Sequence, residues 1–437
     1  MEVHRPMSTI HSHAAVDRTE LTARFEQVRS FTEQLCRPLA IEDYVVQPIE
    51  DVSPPKWHLG HTTWFFEQVI LDQFVSGYKR YHDQFFFVFN SYYQAFGDRV
   101  RRDIRGTLSR PTVAQVIEYR AEINKRMVDL INSIEESRYE ELTALVELGL
   151  HHEQQHQELL VTDIKYIFAT NPLLPVYTDR RPQVGPDRPT NAHFKAFEGG
   201  LREIGYDGDG FAYDNEFPRH QTFVHDFALM DRLVTCGEYL EFIQDRGYQT
   251  VDLWLSNAWD KVQAEQWDKP LFWVEQDGEW NVITMAGMHP LVPSEPVCHL
   301  SHYEAMAFAR WSGKRLPTEA EWEIAASHQD TERILGNFVD EQFFHPVPVG
   351  VIPDEQPIKQ MFGDVWELTN SAYLPYPGYR QVPGALGEYN GKFMNDQIVC
   401  RGGSCATSRS HFRHTYRNFF QSDRRWQFTG LRLASDV

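Results

Sequence analysis

The chain contains no run of about 18 apolar residues, the length a helix needs to cross a bilayer, so a membrane-spanning role is not expected. It has no signal-peptide core either. Met1–Glu20 lacks the apolar stretch such a leader needs and instead carries His4, His11 and His13, so residues 1–17 are expected to be a flexible tail. Cysteine is scarce: Cys36, Cys236, Cys298, Cys400 and Cys405 are scattered and form no C-x-x-C pair. That argues against a disulfide framework and for a reducing cytoplasm. Positive charge is in deficit, with 42 Lys and Arg against 62 Asp and Glu and a net charge of −20. Such a balance disfavours nucleic acid and anionic membranes as partners. No internal repeat and no low-complexity tract is present. The remaining composition is that of a soluble globular protein, 42% apolar and 24% charged. At 437 residues the chain is long enough for two or three separate cores. Aromatics are plentiful at 14%, and Trp and Tyr suit deep pockets with polar tips.

Apolar periodicity predicts helices in the first part. Leu21, Phe25, Val28, Phe31 and Leu35 recur at helical spacing, as do Val113, Val116, Ile117, Ile123, Met127, Leu130, Ile131 and Ile134. Pro54-Pro55 opens another helix through Trp57, His61, Phe65 and Val69, with Ser53 as its expected cap. A further helix runs without Pro or Gly from Leu150 to Ala169. Four amphipathic helices predict a bundle over 18–172, an architecture whose interior commonly holds metal ligands. Residues 173–192 are proline-rich and charged and read as a linker. Over 193–437 short strand-like runs alternate with turn residues, interrupted by helical patterns at Tyr303–Trp311 and Thr318–Ala326.

The candidate site lies in His152-Glu153-Gln154-Gln155-His156. Histidines four apart stand one turn apart on one helix face, so both rings can reach one ion. Leu145, Gly149, Leu159 and Asp163 share their stripe, which points the pair into a core. A third ligand is expected from Trp57-His58-Leu59-Gly60-His61, where His61 shares the inward stripe of Trp57 and Phe65. Three inward imidazoles leave the other positions of an ion open to substrate and dioxygen, which suits iron. The spacing also matches the zinc-protease pattern H-E-x-x-H, with Glu153 as base. That reading expects its third ligand downstream rather than far upstream at His61.

Phe85–Phe89 leads into Asn90-Ser91-Tyr92-Tyr93, and Arg99, Arg101, Arg102 and Arg105 follow. Tyr92 or Tyr93 near a metal can donate a proton. The arginines read as a solvated loop or as a clamp for an amino-acid carboxylate, Arg102 and Arg105 being the candidates.

The second half carries Phe197-Glu198-Gly199-Gly200, Asp214-Asn215-Glu216-Phe217-Pro218, the run Gly313–Glu323 containing Arg315-Leu316-Pro317-Thr318-Glu319-Ala320-Glu321-Trp322-Glu323, Gly363-Asp364-Val365-Trp366-Glu367, Arg401-Gly402-Gly403-Ser404, Arg417-Asn418 and Gly430-Leu431-Arg432-Leu433. In order and content these phrases resemble the formylglycine-generating-enzyme-like domain, a variant of the C-type lectin fold. The first half resembles the DinB-like four-helix bundle. The fused pair, an α+β architecture, resembles the ergothioneine-biosynthesis sulfoxide synthases. That resemblance implies Fe(2+) held by His61, His152 and His156. It implies that the substrates are hercynine, dioxygen and a thiol, joined at the imidazole carbon between the two ring nitrogens and released as a sulfoxide. It also implies that Gln155 contacts the imidazole and that Asn418 holds the carboxylate or trimethylammonium end.

Two departures from the family pattern carry information. Members that use γ-glutamylcysteine have Trp and an acid after that Asn, where Phe419-Phe420 stand here, so cysteine is the expected sulfur donor. Formylglycine-generating enzymes place two cysteines where Thr407 and Phe412 stand, so their copper–cysteine chemistry is not expected. The catalytic tyrosine of the members that use γ-glutamylcysteine lies in the C-terminal domain, where Tyr376 and Tyr379 are the alternatives to Tyr92 and Tyr93. Three rivals remain: an ovothiol-type synthase that joins cysteine to unmodified histidine, a DinB-type metal-dependent thiol transferase needing no dioxygen, and a non-catalytic lectin-like module.

Overall fold

The computed structural model describes residues 16–91, 98–180, 191–381 and 388–437. They form two compact units, one reaching Leu160 with Asp207–Ala212 added, the other comprising Val161–Tyr206 and Tyr213–Val437. The expected tail up to residue 15 and half of the expected linker, residues 181–190, lie outside the described residues.

The first unit is built on three helices and on a fourth as far as Leu160. α1 (Arg18–Cys36) starts at Asp17, whose side chain accepts from the Thr19 amide. α2 (Pro55–Phe65) has proline at its first position, where a fixed φ and a missing N–H cost nothing. Ser53 is not the cap. Pro54 occupies that position without a side-chain bond, and the Ser53 hydroxyl instead accepts from Arg105 at 2.9 Å. α2 passes into a wide π-type turn at Phe66–Leu71. α3 (Val113–Ser133) carries a reciprocal Thr112–Gln115 capping box, and α4 runs from Glu136 to Thr170. Leu21, Phe25 and Val28 of α1, Val116, Ile123, Met127 and Ile131 of α3, and Leu142, Leu145 and Leu150 of α4 are buried. Each such side chain contributes about 1.5–3 kcal/mol. Ile117 points outward at 50% exposure, because its neighbours Val116 and Arg120 take the inward positions.

Beneath this apolar layer lies a buried charge. Glu153 accepts from Arg29 at 2.7 Å, from Arg120 at 2.5 Å and from the Thr32 hydroxyl at 2.6 Å. Arg29 also reaches Thr63 and Asn124, and Arg120 reaches Thr62. One carboxylate therefore ties α1, α2, α3 and α4 together. Burial by itself would raise the Glu153 carboxyl, but Arg120 and Arg29 outweigh it and hold it at about 2.

The second unit holds small sheets and capped helices. β1 (Phe194–Phe197) pairs antiparallel with β4 (Phe227–Met230), which pairs with β12 (Ala434–Asp436). β2 (Gly200–Ile204) and β3 (His220–Val224) form a ribbon. After α5 (Cys236–Gln244) and α6 (Ser256–Glu265) come the meander β5 (Trp273–Gln276), β6 (Glu279–Thr284) and β7 (Gly287–Pro290). α7 (His302–Trp311) and α8 (Glu319–Ser327) both open with capping boxes. The sheet that follows is ordered β10 (Asn418–Phe420), β9 (Ile398–Arg401), β8 (Trp366–Ala372), β11 (Thr429–Gly430), with only β8–β11 parallel.

The acids of the Arg315–Glu323 run each take an arginine. Glu319 accepts from Arg417 at 2.6 Å and Arg401 at 3.1 Å, Glu321 from Arg315 at 2.7 Å, and Glu323 from Arg401 at 2.5 Å. Glu367 pairs with Arg432 at 2.9 Å. Trp322 is buried among Phe338, Phe362 and Phe412. No described helix is long and apolar enough to cross a membrane.

Replacing Glu153 by Gln leaves two buried guanidiniums facing one another. It is expected to lower the unfolding free energy by about 3–5 kcal/mol, measured by urea denaturation. Because the folded carboxyl titrates near 2 instead of 4.5, the stability Glu153 provides is present above about pH 4.5 and fades as pH falls towards 2. A pH series on the wild type should show that loss, and the Gln variant should show a smaller one.

Candidate metal centre

His61 on α2 and His152 and His156 on α4 are all buried, and their ligating atoms lie within 4.8 Å of one another. Their ring centroids are 5.1 Å apart for His61–His152, 4.7 Å for His61–His156 and 4.7 Å for His152–His156. The expected ligand set is therefore brought together in one place. It is the one such His, Cys, Asp and Glu group among the described residues.

Each ring is held by its surroundings. The Nδ1 of His61 lies 2.6 Å from the Phe89 carbonyl, which fixes the proton there and turns the Nε2 lone pair inward. Trp57 stacks on the same ring at 4.6 Å and 9°. The guanidinium of Arg105 lies 3.4 Å over the Trp57 ring, making a cation–indole–imidazole stack. Phe65 stacks on His152 at 4.6 Å. The Nδ1 of His156 is 3.0 Å from the Nδ1 of His58. Gly60 makes this approach possible: a Cβ there would meet the Phe89 ring at 2.1 Å and displace the carbonyl that holds His61.

The electrostatics favour neutral rings. Burial first, then the neighbouring imidazoles, hold His61 and His156 well below the usual histidine range. Burial brings His152 to about 4. Neutral imidazoles are the form that binds a metal. Three nitrogen donors with no carboxylate fit a borderline ion such as iron, zinc or copper. Glu153 cannot serve as the base of a zinc protease, because both its oxygens are consumed by Arg29, Arg120 and Thr32 and face away from solvent.

The other expected site residues divide. Gln155 lies half-buried on α4 one residue before His156. Arg105 is buried and donates to the hydroxyls of Ser53 and Ser91, while Arg102 donates to the Asp51 carbonyl at 2.7 Å. Tyr92 and Tyr93 lie outside the described residues. Of the alternatives, Tyr376 donates to Glu319 within the ion network and Tyr379 donates to Asp214 at 2.8 Å. Asn418 begins β10, its side-chain oxygen accepting from the Phe419 amide. Phe419 stacks on Tyr373 at 4.0 Å, and Phe420 meets Trp426 edge-on at 5.9 Å. Phe412 belongs to the core, and Thr407 bonds Ser404. Sequence reasoning missed the Trp57–Arg105 stack, the Phe89 carbonyl and the His58 partner. Only the clustering of Trp, His and Gly in residues 57–61 hinted at them.

Comparison with known proteins agrees with this architecture. Residues 24–160 match the DinB superfamily, and residues 181–437 match the sulfatase-modifying factor enzyme 1-like domain. The expected α+β fold of a DinB-like bundle followed by a formylglycine-generating-enzyme-like domain is thereby borne out. The hercynine oxygenase of Mycobacterium tuberculosis is 36% identical over 245 residues, 51% of this chain and 56% of that protein's length. The hercynine oxygenase of Mycolicibacterium smegmatis is 31% identical over 344 residues, 73% of this chain and 77% of the relative. That of Mycolicibacterium thermoresistibile is 31% identical over 349 residues, 74% of this chain and 75% of the relative. The two Mycolicibacterium alignments, each at 31% identity and covering about three quarters of both chains, place the chain in the hercynine oxygenase family of oxidoreductases.

Proposed function

We propose that the protein is an ergothioneine-biosynthesis sulfoxide synthase that uses iron(II) and dioxygen to join the sulfur of cysteine to the imidazole of hercynine. The observation that carries this reading is the set of three buried, neutral imidazoles of His61, His152 and His156, with ligating atoms within 4.8 Å, in a chain of this family. When bound, iron(II) supplies a centre at which imidazole, thiolate and dioxygen meet and electrons pass to oxygen. The reaction balances as follows. One C–S bond forms, the imidazole C–H and the thiol S–H are lost, one oxygen atom ends on sulfur and the other leaves as water. The two two-electron oxidations match the four electrons that dioxygen accepts. Proximity of bound substrates lowers such a barrier by up to about 7–11 kcal/mol.

The chain's own residues bind and orient. Gln155, next to His156, hydrogen-bonds the hercynine imidazole. Arg102 and Arg105 provide the cationic side for the donor's carboxylate. Tyr93 or Tyr92 delivers a proton to the oxygen side. The stacked aromatics around His61 and His152 exclude water. A reducing, cytoplasmic setting goes with this reading, since all five cysteines are buried thiols.

Replacing His61, His152 or His156 by Ala is expected to remove most bound iron, measured by metal analysis of purified protein, together with sulfoxide formation. Full iron occupancy in His61→Ala would overturn the ligand set. In anaerobic mixtures exposed to oxygen, mass analysis should find hercynylcysteine sulfoxide. A product from unmodified histidine, or product without oxygen uptake, would favour the ovothiol-type synthase or the thiol transferase instead.

The aromatic Phe419-Phe420 pair, packed on Tyr373 and Trp426, offers no acid to a γ-glutamyl group. Catalytic efficiency should therefore be higher with cysteine than with γ-glutamylcysteine, and the reverse order would refute the assignment.

Tyr93→Phe or Tyr92→Phe keeps the ring and removes the proton donor. Binding of both substrates should survive, while C–S formation slows or gives way to oxidation of the thiol to the sulfinic acid. Unchanged rates and products in the single and double variants would remove both tyrosines from the mechanism.

A further inference from the structure

His58 is buried at 2% exposure on α2, three residues before His61 and outside the set of converging ligand atoms. Its Nδ1 lies 3.0 Å from the Nδ1 of His156, with ring centroids 5.2 Å apart. Trp57 packs edge-on against it at 5.7 Å. A hydrogen bond between two ring nitrogens needs one protonated and one bare. His156 has its Nδ1 engaged here, so Nε2 is the nitrogen left for an ion. A neutral imidazole that offers Nε2 as a lone pair carries its proton on Nδ1. His156 is then the donor, His58 Nδ1 the acceptor, and the remaining proton of His58 sits on its own Nε2.

The three ligands differ in how they are held. His61 is fixed by a backbone carbonyl and His152 by the face of Phe65. His156 alone depends on a side-chain acceptor, and that acceptor comes from the helix that carries His61. We propose that His58 is a positioning residue for the metal centre: it sets the tautomer and rotation of His156 so that Nε2, and not Nδ1, faces the ion. This rests on the proposed three-histidine centre and extends it to a fourth histidine that never touches the metal. Carbonyl or carboxylate partners commonly fill this role behind ligating histidines. An imidazole accepting through Nδ1 fills it here without adding a negative charge to the site.

The test uses the full chain loaded with cobalt(II), with metal affinity read by chelator competition and imidazole N–H protons read by paramagnetically shifted proton NMR in water. The wild type should show slowly exchanging N–H signals from His61 and His156. His58→Phe keeps the ring volume and removes the acceptor. It should weaken cobalt binding by about 10–100-fold and expose the His156 N–H to rapid exchange. His58→Asn places an amide oxygen where Nδ1 stood and should recover both the signal and most of the affinity. If the Phe protein does not fold, His58→Gln, whose longer amide misplaces the acceptor, serves as the negative arm. Wild-type affinity together with a protected His156 signal in that arm would overturn the role of His58. Failure of the wild type itself to take up cobalt would overturn the three-histidine centre, a separate result.

Discussion

The first unit depends on one carboxylate shared by two guanidiniums. Glu153 sits between His152 and His156 of α4, and its oxygens are claimed from α1 and α3 by Arg29 and Arg120. A helix packed only by apolar contacts can slip or rotate at modest cost. A buried ion pair resists this, because any rotation separates desolvated charges. Since His152 and His156 flank the anchored residue, the same pairs that fix α4 also fix the direction of both rings. Threonines of α2 accept from further donors of the two arginines, so the helix bearing His61 is tied to the same centre. The three-histidine cluster is thus supported from below by charge and from the sides by aromatic stacking.

The second unit solves a similar problem differently. Arg401, Arg417 and Arg432 are almost fully buried, and each meets carboxylates from α8 or β8. Strands of two to seven residues cannot hold a fold by their ladders alone. Charged side chains of opposite sign join β9, the residue before β10, α8 and β8 across distances that backbone hydrogen bonds do not span. This explains why the phrases singled out in the sequence are rich in Glu, Arg and Gly and poor in groups that do chemistry.

The helices, their order and the three converging histidines were legible in the sequence, because a 3.6-residue period and an i, i+4 histidine pair are local signals. The identity of the inward polar residues was not. Glu153 has the spacing of a catalytic base, and only its partners, Arg29 and Arg120, distant in sequence, show it to be structural. Ser53 looked like a cap because the cap position depends on whether Pro54 or Pro55 begins the helix. Arg105 looked like part of an exposed basic loop, yet it is buried over Trp57, a contact set by tertiary packing. His58 stands in the same turn as His61. Only the direction of its ring distinguishes a partner of His156 from a ligand.

The wide turn at Phe66–Leu71 has a consequence for angular phase. An α-helix advances about 100° per residue, so one additional residue in a turn rotates everything beyond it by that amount relative to His61. Here the widened segment brings Glu67 inward, where it receives hydroxyls from Tyr119 and Tyr78 and the amide of Tyr81. Deleting a single residue from this stretch would leave His61 in place and turn the downstream side chains away from their partners. The length of this segment is therefore as constrained as its composition.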